Sequence, residues 1–149
     1  MTVLLEAKGV AVTAPVGSRR VEVLRDLDFS LAPGAVLGLV GESGAGKSMV
    51  GRLIGGILPP GFAVSAGELR FAGRDILGMS RAERRALLGR EIAFIPQQPM
   101  TSLNPVRSVG SLFDEHLAKL GVATRGARRA QAVAALGSVQ LPDPESLLR

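Results

Sequence analysis

Ala35-Val36-Leu37-Gly38-Leu39-Val40-Gly41-Glu42-Ser43-Gly44-Ala45-Gly46-Lys47-Ser48 is the stretch on which the reading of this chain turns. Its first six residues are a short apolar run, the pattern of a strand buried on both faces. Gly41 to Ser48 then fit G-x-x-x-x-G-K-[ST]. Small residues let the backbone curl so that successive N–H groups point inward at a phosphate. A helix opening at Gly46-Lys47 adds its positive N-terminal end. Lys47 is placed to reach the terminal phosphates as a point charge, and the Ser48 hydroxyl to take one octahedral position on Mg²⁺. Val50, Leu53, Ile54, Ile57 and Leu58 continue at helical spacing until Pro59-Pro60. With this chain's usage of glycine, lysine, serine and threonine, the motif arises by accident roughly once in 200 such chains. The candidate nucleotide-binding set is therefore Gly41, Glu42, Ser43, Gly44, Ala45, Gly46, Lys47, Ser48 and Met49. A glycine-rich turn without ligand is the alternative. The motif alone does not separate the many classes of phosphate-binding enzyme that carry it.

Working outward, Val3 to Val12 reads as a strand, with a turn signal at Ala14-Pro15-Val16-Gly17. Val21 to Leu31 alternates apolar and polar residues through Val21, Val23, Leu27, Phe29 and Leu31, imperfectly around Leu24-Arg25, which makes Phe29 a core residue alongside Leu27 and Leu31. Downstream, Gly67 to Phe71 predicts a strand, and Ser80 with Glu83 a capping box ahead of a helix ending near Gly89. Ile92-Ala93-Phe94-Ile95 predicts a second strand buried on both faces. It leads into the proline-broken loop from Pro96 to Pro105. Two helices are predicted to close the chain. One uses Val109, Leu112, Phe113, Leu117 and Leu120 and stops at Gly121; the other is capped by Thr124 and runs to about Leu141-Pro142. This order points to an α/β fold with a sheet-based core and a helical appendage.

Composition narrows the chemistry. The chain has 149 residues, no cysteine and one histidine, His116. Disulfides, thiolate metal sites and a Ser-His-Asp triad are thereby set aside. His116, beside an apolar helix face, reads as structural. Fifteen arginines dominate a formal charge of +5, clustered at Arg19-Arg20, Arg81 to Arg90 and Arg125 to Arg129. A basic balance suits nucleic acid, an anionic membrane or phosphate ligands, and equally suits solvated helix faces. Tryptophan and tyrosine are absent and the five phenylalanines are scattered, so no aromatic platform for stacking successive bases is visible. The uncharged run Leu53 to Gly67 is broken by Pro59-Pro60-Gly61, so no membrane span is expected. The start of the chain lacks the basic region of a secretory signal.

Ile95-Pro96-Gln97-Gln98-Pro99-Met100-Thr101-Ser102-Leu103-Asn104-Pro105 closely resembles the Q-loop of ABC transporter ATPases. Pro99 to Pro105, with Leu39 to Ser48, is similar to the subfamily that powers uptake of oligopeptides, dipeptides and nickel. The resemblance runs from Leu4 to Glu145. It implies a P-loop NTPase core of ABC type, with an N-terminal antiparallel β subdomain and the start of a helical subdomain. On it, residues 1–107 are the nucleotide-binding core and 108–149 the opening of the helical part. Gln97 becomes the Q-loop glutamine, contacting Mg²⁺ or the attacking water, with Gln98 where relatives often carry an acid. Lys47 and Gln97 are the implied catalytic residues, and Ser48 and Gln97 the implied contacts to the metal. ATP and Mg²⁺ are the implied ligands. Transmembrane permease subunits, a second ATPase subunit in a head-to-tail dimer and, indirectly, a solute-binding protein are the implied partners. Pro99 to Pro105 and the helix from Val109 are expected near the permease. The implied location is peripheral, on the cytoplasmic face of the cell membrane.

Two departures from the family pattern shape the expectation. Ala14 stands where the family usually stacks adenine on an aromatic. The Leu-Ser-Gly-Gly signature, the strand ending in Asp-Glu and the switch histidine do not occur. The final residues, Pro144 to Arg149, read as the start of something further, so an incomplete domain is expected. Without the acidic pair, no carboxylate activates water or orients Mg²⁺. The expectation is an ATP-binding subunit for import of peptides or a related solute in the complete protein, with poor hydrolysis by this chain alone. A nucleotide-binding module without turnover is the alternative. A basic nucleic-acid-associated relative is the lesser one, and nucleic acid is not the expected partner.

Overall fold

The computed structural model describes residues 2–149, without the side chains of Met100 and Thr101. Two compact units divide the chain, Met1–Phe94 and Ile95–Arg149. In the first, β1 (Leu5–Val16) and β2 (Arg19–Leu31) form a long hairpin, followed by α1 (Lys47–Ile54), β3 (Ala63–Phe71), β4 (Arg74–Asp75) and α2 (Arg81–Leu87). The strands make one sheet in the order β2-β1-β3-β4, antiparallel throughout. Alternation along β1 turns Leu5, Ala7, Val10 and Val12 to a core shared with Leu24, Leu69 and Phe71. Val50 and Leu53 of α1, with Ile76 and Leu87, close it. Phe29 is half-buried against this core, as its alternation predicts.

Register shifts interrupt β1 between Ala7 and Val10 and again at Val12. Gly67 is the reason β3 can follow that bulge. Its φ is +88°, and a Cβ there would lie 2.4 Å from the Gly9 carbonyl oxygen. Only glycine combines that conformation with that approach.

The hairpin turn differs from expectation. Strand β1 continues through Ala14, Pro15 and Val16, and the chain reverses at Gly17, whose φ is +60°. Pro15 is tolerated because the pairing with β3 ends at Thr13, so β1 there has a neighbour on one side only. Helix α1 also stops earlier than Pro59. Gly55 is its C-cap and Gly56 takes φ +62°, so the glycine pair ends the helix and leaves Ile57 and Leu58 outside it.

The larger correction concerns the two runs predicted as buried strands. Ala35–Val40 and Ile92–Ile95 are not strands, apart from an isolated bridge between Leu88 and Ile92. Val36 is 97% and Val40 98% exposed, and Ile95 82%. A strand is buried on both faces only when ladder neighbours and covering layers exist on both sides. All four strands of the sheet are committed to antiparallel pairs, and none lies beside either run.

In the second unit, a 3₁₀ turn (Pro99–Ser102) precedes α3 (Val109–Lys119), α4 (Arg125–Ser138) and the short α5 (Pro144–Leu147). Ser108 caps α3 by accepting from the Ser111 N–H, and Thr124 caps α4 by accepting from the Ala127 N–H. Ala132, Leu136 and Leu148 form a small core with Phe113, Leu117 and Val133 packed against it. Capping also sets α2, where Ser80 and Glu83 make the reciprocal capping box expected from their spacing. The Ser80 hydrogen bonds lower the Glu83 pKa, because they favour its charged form. Helix α5 lacks an amphipathic signal in the sequence and rests on Asp143, which accepts from the Ser146 N–H.

Candidate functional site

The candidate phosphate loop lies in the first unit, between the exposed run ending at Val40 and the start of α1. Gly44 and Gly46 take φ +86° and +82°. Left-handed glycines alternating with ordinary residues are what turn consecutive N–H groups to one side of a loop. Gly46 is the N-cap of α1, and having no side chain it supplies no capping acceptor. The first backbone bonds of the helix run from the Met49 and Val50 N–H groups to the Gly46 carbonyl. The Lys47 and Ser48 N–H groups therefore sit ahead of the ladder, and the first turn holds no acidic residue. Such an end carries partial positive charge and accepts an anion readily.

The Lys47 side chain folds back over this loop. Its Nζ donates to the carbonyls of Gly41 at 2.7 Å and Glu42 at 2.6 Å, holding the ammonium above the loop from its own helix. Ser48 is exposed, with no hydrogen bond to its hydroxyl among the described residues. Ala45 donates its N–H to the Glu42 carbonyl and so closes the turn, and a Cβ on Gly41 would meet the Ala45 methyl at 3.3 Å. Met49 is half-buried against the core, so its contribution near a ligand is its backbone. Amide donors, one ammonium and one hydroxyl suit a polyphosphate with a hard cation. Among the described residues no three acidic or histidine side chains gather to hold a metal alone. A Mg²⁺ ion here would rest on the Ser48 hydroxyl and on phosphate oxygens.

Gln97 belongs to the second unit and is exposed in the stretch just before the 3₁₀ turn. Gln98, next to it, has a partner within the chain. The side chains of Met100 and Thr101, in the loop expected to face the permease, lie outside the described residues. His116 is exposed on α3. Ala14 is buried in β1 opposite Val21.

Residues that sequence reasoning missed lie behind the loop. A Cβ on Gly46 would fall 2.6 Å from Leu24 Cδ2 and 3.1 Å from the Val23 carbonyl, so β2 is the floor against which the loop turns into its helix. No spacing rule links residue 24 to residue 46.

Residues 24–147 match the ABC transporter family, so this chain belongs to the ABC transporter family. It is 38% identical to the oligopeptide transport ATP-binding protein OppD of Bacillus subtilis over 147 residues, 97% of this chain and 41% of that protein. It is 41% identical to the dipeptide transport ATP-binding protein DppD of Escherichia coli over 122 residues, 82% of this chain and 37% of that protein. The chain thus spans about two fifths of the length of these relatives. The fold matches the dimeric structure of MJ0796, a bacterial ABC transporter cassette, with a TM-score of 0.81 at 21% identity. That match covers 94% of this chain and 59% of the cassette. No helix among the described residues is long and apolar enough to cross a membrane.

Proposed function

We propose that this chain carries the nucleotide-binding part of an ATP-binding subunit that powers ABC-type import of peptides or a related small solute. The observation that carries the reading is the uncapped start of α1, with Lys47 folded over the loop from Gly41 to Gly46. The names of the OppD and DppD relatives supply the cargo class. Residues 1–107 form the nucleotide-binding core in this reading, and 108–149 open the helical subdomain.

Gly41 to Met49 hold the phosphates. The backbone N–H groups orient them, and Lys47 exchanges its two carbonyl acceptors for phosphate oxygens. Mg²⁺, when bound, neutralises developing charge on the phosphates. Ser48 would supply a hydroxyl to it, and Gln97 is the further side chain that the family resemblance assigns to the metal. Positioning and charge stabilisation are what phosphoryl transfer asks of these side chains. The subunit works as a head-to-tail dimer against transmembrane permease subunits at the cytoplasmic face of the membrane, with a solute-binding protein delivering cargo.

Calorimetric titration with Mg-ATP tests the site: Lys47→Ala is expected to abolish the binding heat, and an unchanged titration overturns the assignment. Phosphate release clearly above that of the Lys47→Ala chain supports turnover. Binding without such release favours a module that binds but does not turn over. Uptake of a labelled oligopeptide tests the cargo, since cells lacking the protein that take it up at the normal rate refute the peptide class.

A further inference from the structure

A second concave site lies wholly in the helical unit, and its chemistry is basic. A cleft of ≈ 540 Å³ opens between the start of α3 and the start of α4, with Leu148 on its wall. Arg107, Arg125, Arg128 and Arg129 line it, against the two carboxylates of Asp114 and Glu115.

The four guanidinium groups are not equivalent. Arg128 is committed: its Nε donates to Asp114 at 2.6 Å and it also donates to the carbonyls of Val122 and Ala123. Arg107 donates to Glu115 at 2.6 Å and to the Ser111 carbonyl. Arg129 has only a 3.4 Å contact with Glu145, both side chains being mostly exposed. Arg125 has no hydrogen bond or ion pair among the described residues. After internal pairing Arg125 is left over, and Arg129, four residues along and so on the same face of α4, holds the longest of these pairs.

Helix stability does not account for them. Arg125, Arg128 and Arg129 fall in the opening turns of α4, where no acidic residue occurs and where the helix end is itself positive. Cations are favoured at the other end of a helix. Arg125 and Arg129 are exposed, yet they do not stand apart from the other two guanidinium groups. They converge with Arg107 on one concavity, which suits a compact ligand better than an extended one.

We propose that this cleft binds a phosphate group, held chiefly by the exposed Arg125 and Arg129, with the paired guanidinium groups of Arg107 and Arg128 held in place behind them by Glu115 and Asp114. Arginine suits the task because its planar fork meets two phosphate oxygens at once. The phosphate could be free or the headgroup of an acidic lipid. The site is independent of the phosphate loop and does not rest on the proposed function.

The test is NMR titration of the ¹⁵N-labelled full chain carrying Lys47→Ala, which silences the phosphate loop. Inorganic phosphate is one probe and vesicles containing phosphatidic acid the other. Saturable amide shifts are expected at residues 107–115 and 125–129. Arg125→Gln with Arg129→Gln should weaken binding by about tenfold or more, the loss of one to two charge-assisted bonds. Both side chains are exposed, and an unchanged circular dichroism spectrum verifies that α4 persists. The wild-type chain gives a second route, because shifts at residues 41–49 and at 107–129 separate by residue. Saturation by free phosphate identifies a soluble ligand. Response to vesicles alone, lost in the glutamine variant, identifies a headgroup. Either outcome supports the site. Absence of response to both probes, or a response unaltered by the glutamine variant, overturns it.

Discussion

Leu24 Cδ2 on β2 lies 2.6 Å from the point that a Cβ on Gly46 would occupy. The residue that ends the phosphate loop and caps α1 is thus pressed against the antiparallel sheet, in a left-handed conformation that a side chain would resist. The loop's shape depends on a neighbour 22 positions away as well as on its own glycines.

Gly46→Ala should therefore damage fold and site together. Left-handed backbone costs a non-glycine residue about 1–2 kcal/mol, and pressing a methyl into a packed neighbour about 1–3 kcal/mol more. Urea denaturation should show the loss, with Mg-ATP binding lost in parallel. Adding Leu24→Ala relieves the contact with that side chain but neither the strain nor the 3.1 Å approach to the Val23 carbonyl, so binding should stay impaired in the double variant. Full recovery there would show that contact alone requires the glycine.

Ser48→Ala isolates the metal. The hydroxyl is exposed and has no intramolecular partner among the described residues, so its removal should leave stability within about 0.5 kcal/mol of wild type. Titration with ATP in EDTA should be nearly unchanged, whereas the tightening caused by Mg²⁺ should fall on the order of tenfold. Equal losses with and without Mg²⁺ would place the serine on phosphate instead.

Leu69→Ala probes the sheet that supports the loop. Leu69 is fully buried, among the largest side chains with no exposure. Truncating it removes transfer energy and leaves a cavity, which together cost about 2–5 kcal/mol. The midpoint of urea unfolding should fall accordingly, and a shift worth under about 1 kcal/mol would mean that the site collapses to fill the space.

Glu115 gives the helical unit an acid sensitivity. Hydrogen bonds from Lys119, then Arg107, and the charges of both lower its pKa from 4.5 to about 2. A carboxyl lowered in the folded state stabilises fully above its unfolded pKa and loses that contribution as pH falls through the folded one. Thermal unfolding followed from pH 6 down to pH 2 should show stability falling below about pH 4.5. Glu115→Gln should flatten that part of the profile. A parallel profile in the variant would assign the acid transition to other carboxyls.

The caps of α2 and α4 were legible because each is decided within one turn, whereas the Ser108 cap of α3 and the Asp143 cap of α5 were not read. Ser80 with Glu83, Ser108 and Thr124 cap α2, α3 and α4, and side chain and N–H are three residues apart in each case. Helix α1 and its loop were legible for the same reason, as glycine spacing dictates where the chain can curl. The fold class and the family resemblance followed from such local patterns, and the family match agrees with them.

The strands divide differently. The alternation of β2 located the half-buried Val23, Leu27, Phe29 and Leu31 but passed over Leu24, its one buried residue, and counted the exposed Val21. Apolar runs are ambiguous about neighbours too, and Ala35–Val40 and Ile92–Ile95 read as buried although the structure leaves them largely exposed. Hydrophobicity records what a segment can bury, and pairing depends on which strands lie beside it. The bulge of β1 against Gly67, Leu24 beneath Gly46 and the arginine cleft between α3 and α4 all join residues distant in the chain. Local spacing determined the caps, the helices and the phosphate loop, because those interactions span three or four residues. Only the tertiary structure decided the floor of that loop and the second basic site, because both are contacts between elements that no short-range pattern encodes.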